Sequence, residues 1–460
     1  MEGVSTEVSF NYITFAQAKE QLLQRLNDQT AGVYVNNSYT DAELALYFTE
    51  ALRTWNALTS TWVTDWAFTI TPPVSSVWYN LRGVSGYARQ QTVLDSDIYT
   101  LIEYHFLEPP TGATWTGTSQ FSINDLASAL ERRRDEIIQI SACNPVNIPL
   151  ASTPNTRRTV LPDNVLEVIR ARFVPASGSP NTLFRDDALG MKFFSPGYLQ
   201  NQAGSGQSPA GLPQSYAQIT GPPLALDVDY APNVVGSYDL LALRSGLTFA
   251  PPASTLLGIP NDWSWVAKWG AMADLLSSGS EKQDSLRAQY CLQRYKDGLT
   301  LIAKSAWLYT AQLNGVAADV VAAAEMDAYT PEWDTSGNAA PPAVVMGGLD
   351  FVAVSPMPPA NPVSVLLTVV GNAPIPGSGT DYVQASRDTL DVILDYAQHI
   401  ATFKKGGQEF EQTFPLAQNF ATAAMATNER LKNLGIFRDL LLLQGQKQSI
   451  QQERIEEVEA

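Results

Sequence analysis

The sequence is poor in charged residues and in cysteine. Charged side chains make up only 16% of the 460 residues, whereas an ordinary soluble domain has about 25%. The surface must therefore be rich in Ser, Thr, Asn, Gln and small apolar groups, and such a surface suits permanent burial against other subunits. The two cysteines, Cys143 and Cys291, lie far apart in sequence, so they indicate neither a disulfide framework nor a zinc site.

Basic side chains are also scarce, with 29 Lys and Arg against 46 Asp and Glu and a net charge of -17. Phosphate binding depends on basic clusters, so this balance argues against a protein that grips nucleic acid, but it permits a surface past which DNA slides. The best apolar run, Val363 to Val370, is far shorter than the roughly 18 residues that cross a bilayer. The first residues lack a basic and apolar leader. We therefore expect a soluble protein, made in the cytoplasm, without membrane contact.

Helix-forming patterns occur in four separated stretches of the chain. Thr14 with Gln17, and Thr40 with Glu43, match the capping box at two helix starts, and apolar residues recur at helical spacing after each. Every apolar stripe needs a partner to cover it. We therefore expect one helical core that is assembled from residues 14–58, 122–142, 261–312 and 386–434.

The stretches between these helices are rich in Thr, Val, aromatic residues and proline, which predicts short strands. The sequence thus indicates an α+β fold with a helical bundle core assembled from separated segments, β-rich and sandwich-like insertions, and a C-terminal helical arm. The expected divisions are an N-terminal helical hairpin over 1–60, a β-rich insertion over 61–121, a core helix over 122–145, a β-rich domain over 146–258 with an exposed loop at 201–215, a core helical pair over 259–312, a Pro/Gly-rich region with short strands over 313–383, core helices over 384–435 and a docking arm over 436–460.

The sequence offers no recognisable catalytic constellation. His105 lies among apolar neighbours, and His399 follows Asp395 by one helical turn, which we interpret as a pair on a helix surface. Cys291 lies on an apolar stripe and is expected to be a packed thiol. Metal-binding, nucleotide-binding and nucleophile motifs are absent from the sequence, so we expect neither enzyme activity nor a cofactor. A pair of glycosidase carboxylates stays open, because spatial pairing is invisible in a sequence.

Two clusters admit more than one interpretation. The run Arg132–Arg134 lies mid-helix, where it could contact phosphate, although a solvated face or a salt bridge between subunits is simpler. Trp263, Trp265 and Trp269 could stack on sugars, but their helical spacing favours core and interface anchors.

The last stretch, 436–460, is poorly suited to fold alone. One helix face cannot hide four consecutive leucines within a small bundle, and only a sparse apolar stripe follows them. Four glutamates make the end acidic, which suits a basic groove on a partner. We predict a docking arm, and the alternative is a frayed helix on its own subunit. The candidate partner-contact residues are Leu440, Leu441, Leu442, Leu443, Ile450, Ile455 and Val458.

Several helical segments carry a family resemblance. They are Thr14-Phe15-Ala16-Gln17-Ala18-Lys19, Tyr39-Thr40-Asp41-Ala42-Glu43-Leu44, Ala51-Leu52-Arg53-Thr54-Trp55-Asn56-Ala57-Leu58, Ile259-Pro260-Asn261-Asp262-Trp263, Trp269-Gly270-Ala271-Met272-Ala273-Asp274-Leu275-Leu276 and Tyr290-Cys291-Leu292-Gln293-Arg294-Tyr295. These segments are similar to virion proteins that tailed bacteriophages encode near their head–tail joining genes. The shared features are patterns of packing residues, over about a third of the chain. The chain is longer than the small adaptors of this family, so its β-rich portions would be insertions.

The resemblance implies a structural protein of the virion neck, the head-to-tail connector or adaptor, made in the host cytoplasm. In such proteins a helical bundle docks beneath the portal ring, and a C-terminal arm reaches into the portal subunits. The implied assembly is a homo-oligomeric ring of twelve copies, with the portal and a downstream tail or nozzle protein as partners. Acidic residues facing the channel would let DNA pass during ejection without specific binding. The alternatives are a tail nozzle or tube component, and a receptor- or glycan-binding viral tail protein.

Overall fold

The protein is described here as a computed structural model, which covers residues 12–26, 39–71, 77–106, 121–194, 210–221, 223–277, 284–304, 307–330, 333–334, 342–356 and 362–441. Within these residues, helices and two seven-stranded sheets combine in one chain, which confirms the predicted α+β class. The helices are α1 Phe15–Arg25, α2 Asp41–Thr59, α3 Asp95–His105, α4 Ile123–Ser141, α5 Ala188–Phe194, α6 Ser264–Ser277, α7 Ser285–Lys304, α8 Ala323–Tyr329, α9 Arg387–Thr402, α10 Gly407–Glu411, α11 Phe414–Thr427 and α12 Arg430–Leu434.

The strands of the two large sheets and of one short pair alternate with these helices. They are β1 Val63–Ile70, β2 Tyr79–Asn80, β3 Pro145–Ser152, β4 Arg158–Val160, β5 Val165–Pro175, β6 Asn181–Arg185, β7 Ala210–Gly211, β8 Ser215–Ile219, β9 Ala225–Val228, β10 Ala231–Pro232, β11 Gly236–Arg244, β12 Leu308–Leu313, β13 Val316–Ala322, β14 Ala343–Met346, β15 Phe351–Ser355 and β16 Val363–Val370.

Side-chain caps fix the starts of the first long helices. Thr14 and Thr40 each accept a hydrogen bond from the backbone three residues on, and the side chains of Gln17 and Glu43 return the contact. Ser122 and Asp125 form the same capping box at α4. Such caps each contribute on the order of 1 kcal/mol, and these three were all readable from the sequence.

The longer helices pack into one core around α2. Helices α1, α9 and α11 contact α2 directly, while α6 links α2 to α4 and α7. Trp55 of α2 lies edge-on to Phe420 of α11, with 5.6 Å between ring centroids. Trp269 of α6 lies 5.2 Å from the ring of Phe403, which follows α9. Both tryptophans are buried, so this core joins helices that are far apart in sequence.

Helix α3 interrupts the predicted β-rich insertion over 61–121. Its N-cap is Leu94, whose backbone N–H donates to Asp97 Oδ2 at 3.1 Å. Ile98, Leu101 and Ile102 then face the helical core at helical spacing. This stretch is a helix because its apolar side chains repeat with the helical period and find partners in the core.

The first sheet has the order β1-β16-β12-β13-β14-β15-β2. Strand β16 spans the apolar run Val363–Val370, inside the region where short strands are expected, and pairs antiparallel with β1 and β12. It does not pair with β15, which instead joins β14 and β2. The β12–β13 hairpin turns through Asn314 and Gly315, both at positive φ. The predicted helical pair over 259–312 therefore ends earlier, with α7 at Lys304.

The second sheet has the order β3-β11-β5-β6-β8-β9-β4 and lies in the predicted β-rich domain over 146–258. Strand β8 also contacts β5, since Gln218 donates from Nε2 to the Leu166 carbonyl and accepts at Oε1 from the Val168 N–H. Tyr216, Leu226 and nearby apolar side chains fill the space between, as a core separate from the helical one.

Candidate functional site

The predicted partner-contact residues fall into two groups. Leu440 is only 1% exposed and packs into the helical core with Ile436 and Phe437, while Leu441 is half-buried. Gln418 of α11 donates from Nε2 to the Leu440 carbonyl at 2.5 Å. Leu440 thus contacts its own subunit in this structure. The others lie outside the described residues: Leu442, Leu443, Ile450, Ile455 and Val458.

A buried arginine holds the start of the predicted arm. Arg294 of α7 pairs with Asp297 on its own helix, at 3.2 Å between Nη2 and Oδ2, and with Asp439. Its guanidinium lies 4.7 Å from the centroid of the Phe437 ring. We call Arg294, Phe437, Asp439 and Leu440 the C-terminal latch. The latch holds residues 436–440 on the core of the same subunit, so the predicted arm over 436–460 does not begin at Ile436.

His399 is buried and does not form the predicted surface pair with Asp395. Its Nε2 lies 2.7 Å from the Tyr290 hydroxyl, and its Nδ1 lies 2.8 Å from Thr413 Oγ1. Asp395 instead forms an ion pair with Arg25 of α1. Burial lowers the pKa of His399 to about 3. The interpretation as a surface pair is therefore wrong, because helical spacing does not tell which face of α9 meets the core.

The other histidine and both cysteines are also fully buried. Burial, and then the charge of Lys268, hold the pKa of His105 well below its usual value. Burial raises the pKa of Cys143 to about 12 and raises that of the Cys291 thiol as well. These side chains therefore stay uncharged near neutral pH and act in packing. Cys291 lies in the helical core, as its apolar stripe predicts.

Two buried ion pairs connect α2 to distant segments. Lys268 Nζ of α6 lies 2.6 Å from Glu50 Oε2, and Lys404 Nζ lies 2.8 Å from Glu43 Oε1. His105 of α3 joins the first pair, with its Nε2 3.0 Å from Lys268 Nζ. Burial raises the pKa of Glu50 and lowers that of Lys268, while their mutual attraction opposes both shifts. The two pairs specify how α2, α3, α6 and the end of α9 meet.

The arginine run on α4 is used within the subunit. Arg132 and Arg133 both donate to Asp274 of α6, at 2.6 and 2.8 Å to its Oδ2. Arg134 is buried and donates to the Leu247 carbonyl at 2.6 Å. The run therefore ties α4 to α6 and to the chain after β11 within the subunit. Arg132 is largely exposed, which agrees with a solvated face, whereas buried Arg134 does not lie on such a face.

The tryptophans of the 263–269 segment are core residues. Trp263, Trp265 and Trp269 are at most 3% exposed, so their faces cannot stack on a sugar. Their role as packing anchors agrees with their helical spacing.

The first sheet presents an open face without basic side chains. Thr368 of β16 donates to Asp65 Oδ1 of β1 at 2.7 Å and accepts from Thr310 of β12 at 2.8 Å. Ala318 of β13 pairs with Ala311 of β12 in antiparallel register. The next residue of β13, Asp319, therefore lies beside Thr310 of β12. We call this surface the Asp/Thr face. The four strands β1, β16, β12 and β13 contain two aspartates and no lysine or arginine.

Within the described ranges, the protein has neither a cluster of metal ligands nor a helix that could span a membrane. There, no three side chains of His, Cys, Asp or Glu converge as a metal site requires. In those ranges, too, no helix is both long and apolar enough to cross a bilayer.

No known family model matches the sequence, and no curated protein matches it either.

Proposed function

We propose that the protein is a structural component of a tailed-phage virion, and specifically the head-to-tail adaptor. In this proposal, copies of the chain form a ring beneath the portal, in the neck of the particle. DNA crosses the ring during ejection without binding to it. The segment beyond Leu441 docks on the portal.

The observation that carries this proposal is the Asp/Thr face. Carboxylates that line a passage repel phosphate, and this repulsion keeps DNA from adhering to the wall. The Thr368 hydroxyl is hydrogen-bonded to Asp65 and Thr310 within the sheet, so it is already engaged when phosphate passes. An acidic face without lysine or arginine is suited to the lumen of such a ring.

The helical core gives a second line of support. Its histidines and cysteines are buried and uncharged, so the residue types that most often carry nucleophilic or acid–base chemistry serve packing. Its ion pairs and its latch fix relative helix positions. Such an arrangement suits a rigid structural part.

Negative-stain images of the purified protein test the proposal. A ring with a central channel is expected, and a β-rich trimeric spike or a monomer at micromolar concentration would contradict it. A tail nozzle or tube component would also form a ring, so binding to purified portal protein separates the two stations. The adaptor binds the portal directly, whereas a nozzle component requires an adaptor between them.

A further inference from the structure

A groove whose smaller part is lined by three aromatic side chains runs beside the start of β1. Its two parts have volumes of about 740 and 560 Å³ and share Trp62 and Gln384. Tyr382 and Tyr12 are 63% and 49% exposed and line the smaller part together with half-buried Trp62. Exposed aromatic rings gathered in one depression offer flat apolar platforms with polar edges.

Amides and hydroxyls line the larger part of the groove. Gln90, Thr92 and Gln384 are exposed there. Asn372 donates from Nδ2 to the Gln90 carbonyl at 2.8 Å, while its buried Oδ1 has no hydrogen-bond partner among the described residues. The groove therefore offers donors and acceptors without forming a basic patch of the kind that binds nucleic acid.

Among the described residues that line the larger part, Arg53 of α2 is the only cationic one. Its Nη1 makes a long contact of 3.4 Å to Ser264 Oγ, and its buried Nε lacks a hydrogen-bond partner within the described ranges. Three carboxylates act on Arg53 through their charge, those of Asp262, Glu50 and Asp97. Each of them is hydrogen-bonded to another group. Asp262 accepts from Asn56 and Ala373, Glu50 accepts from Lys268, and Asp97 accepts from the Leu94 N–H.

We propose that this groove binds an acidic glycan, that is, an oligosaccharide whose sugars carry carboxylates. The apolar faces of the sugar rings lie on Trp62 and Tyr382, and the hydroxyls bond to the side chains of Gln90, Asn372 and Gln384. A sugar carboxylate binds Arg53, because the guanidinium fork matches a carboxylate in shape and charge. The arginine makes the groove select for negative charge, in a chain whose net charge of -17 otherwise repels anions. The proposal does not depend on ring formation or on portal binding.

Titration calorimetry of the full-length protein with two matched probes tests this site. The probes are hexagalacturonate and its fully methyl-esterified form, which has the same sugars without their charge. We expect hexagalacturonate to bind and the ester to bind roughly tenfold more weakly or not at all, because the charged contact is lost. Arg53→Met should abolish the preference between the two probes.

Tyr382→Ala and Tyr329→Ala form the matched pair of variants. Both tyrosines are largely exposed, at 63% and 80%, so neither change should unfold the chain. Tyr382→Ala should weaken hexagalacturonate binding roughly tenfold, since the sugar loses the aromatic ring on which it stacks. Tyr329→Ala lies on α8, outside the groove, and should leave binding unchanged. Failure of both probes to bind, equal binding of both, or tighter binding of a hexaglutamate peptide would overturn the proposal.

Discussion

Lys268 illustrates how single residues hold the helical core together. Its ammonium donates to both oxygens of Glu50, at 2.7 and 2.6 Å, and lies 3.7 Å from the centroid of the Trp269 ring. Both members of the pair are buried. Removal of one charge would leave the other in a low-dielectric interior without compensation, and that loss outweighs the net contribution of the intact pair.

We therefore predict that Lys268→Met lowers the free energy of unfolding by about 3–5 kcal/mol. Lys432→Met is the control, because Lys432 pairs with Glu429 at 3.8 Å on an exposed surface, where such pairs contribute about 0–1 kcal/mol. Urea unfolding followed by circular dichroism measures both variants. Equal loss of stability in the two variants would show that the Glu50 pair is not buried as described.

His399 makes stability depend on pH. The unfolded chain binds a proton on this side chain near pH 6.5, whereas the folded chain binds one only near pH 3, because of burial and the charge of Arg294. Protonation therefore favours the unfolded state in this window. Stability contributed by neutral His399 is present above pH 6.5 and falls as pH drops towards 3, by up to about 1.4 kcal/mol per pH unit.

His399→Gln isolates this effect, since glutamine does not titrate and can still bond to Thr413. We predict that the stability of the wild type relative to this variant falls steadily between pH 6 and pH 4, at about 1.4 kcal/mol per unit. Comparison of the two proteins cancels the titration of all other groups. Parallel stability curves over this range would mean that His399 is accessible to protons in the folded state.

The surroundings of His399 show that the partners of a single side chain could not be predicted from nearby residues alone. The sequence places Asp395 one turn before His399, but Asp395 is taken by Arg25, 370 residues away in the chain. A rule that considers only residues a few positions apart cannot identify such a partner. The Cys291 prediction succeeded, because an apolar stripe on a helix reports burial directly.

At the scale of elements, the sequence was sufficient to predict where a helix begins wherever a capping residue marks that start. The capping boxes at Thr14 and Thr40 predicted two helix starts that the structure has. The Asn314-Gly315 pair is the strongest short hairpin signal, yet the predicted boundary at 312 cut through the β12–β13 hairpin. Helix α3 lacks a Ser or Thr cap at Leu94, so the strand-like texture around it concealed its apolar repeat.

The C-terminal latch yields a prediction about where the arm begins. A chain that ends at Leu441 keeps Phe437, Asp439 and Leu440, whereas a chain that ends at Gly435 loses all three and leaves Arg294 without Asp439. Large-to-small changes at buried apolar positions cost about 2–5 kcal/mol each. We expect the chain 1–441 to melt like the full-length protein and the chain 1–435 to melt at least about 10 °C lower.

Thermal unfolding of the two truncated chains measures this difference, and portal binding adds the functional readout. The adaptor proposal requires that 1–441 folds but fails to bind the portal. Normal portal binding by 1–441 would show that residues 442–460 are not the docking element. Identical melting of 1–435 and 1–441 would show that the latch does not stabilise the core.

At the scale of the whole molecule, the predicted α+β class followed from composition and periodicity, but the order of the strands did not. Strand β1 lies beside β16, about 300 residues later in the chain, and β12 pairs with β16 across a bulge. Such pairings depend on which faces the helical core leaves uncovered. The groove between Trp62 and Tyr382 has the same origin, since its lining comes from segments that only the complete fold brings together.

The Asp/Thr face provides the decisive prediction about assembly. Asp65→Lys with Asp319→Lys places two cations on that face, whereas Asp388→Lys with Glu409→Lys changes the net charge equally on exposed positions of α9 and α10. If the face lines a channel, the first variant should retain linear duplex DNA in low salt through phosphate contacts in the lumen. It should not retain a closed circular plasmid, which cannot thread a ring. The second variant should retain linear and circular DNA to the same extent, because its new charges lie outside the channel.

Co-sedimentation of assembled rings with each DNA form measures the difference. Equal retention of both forms by the first variant would place the Asp/Thr face on the exterior of the ring.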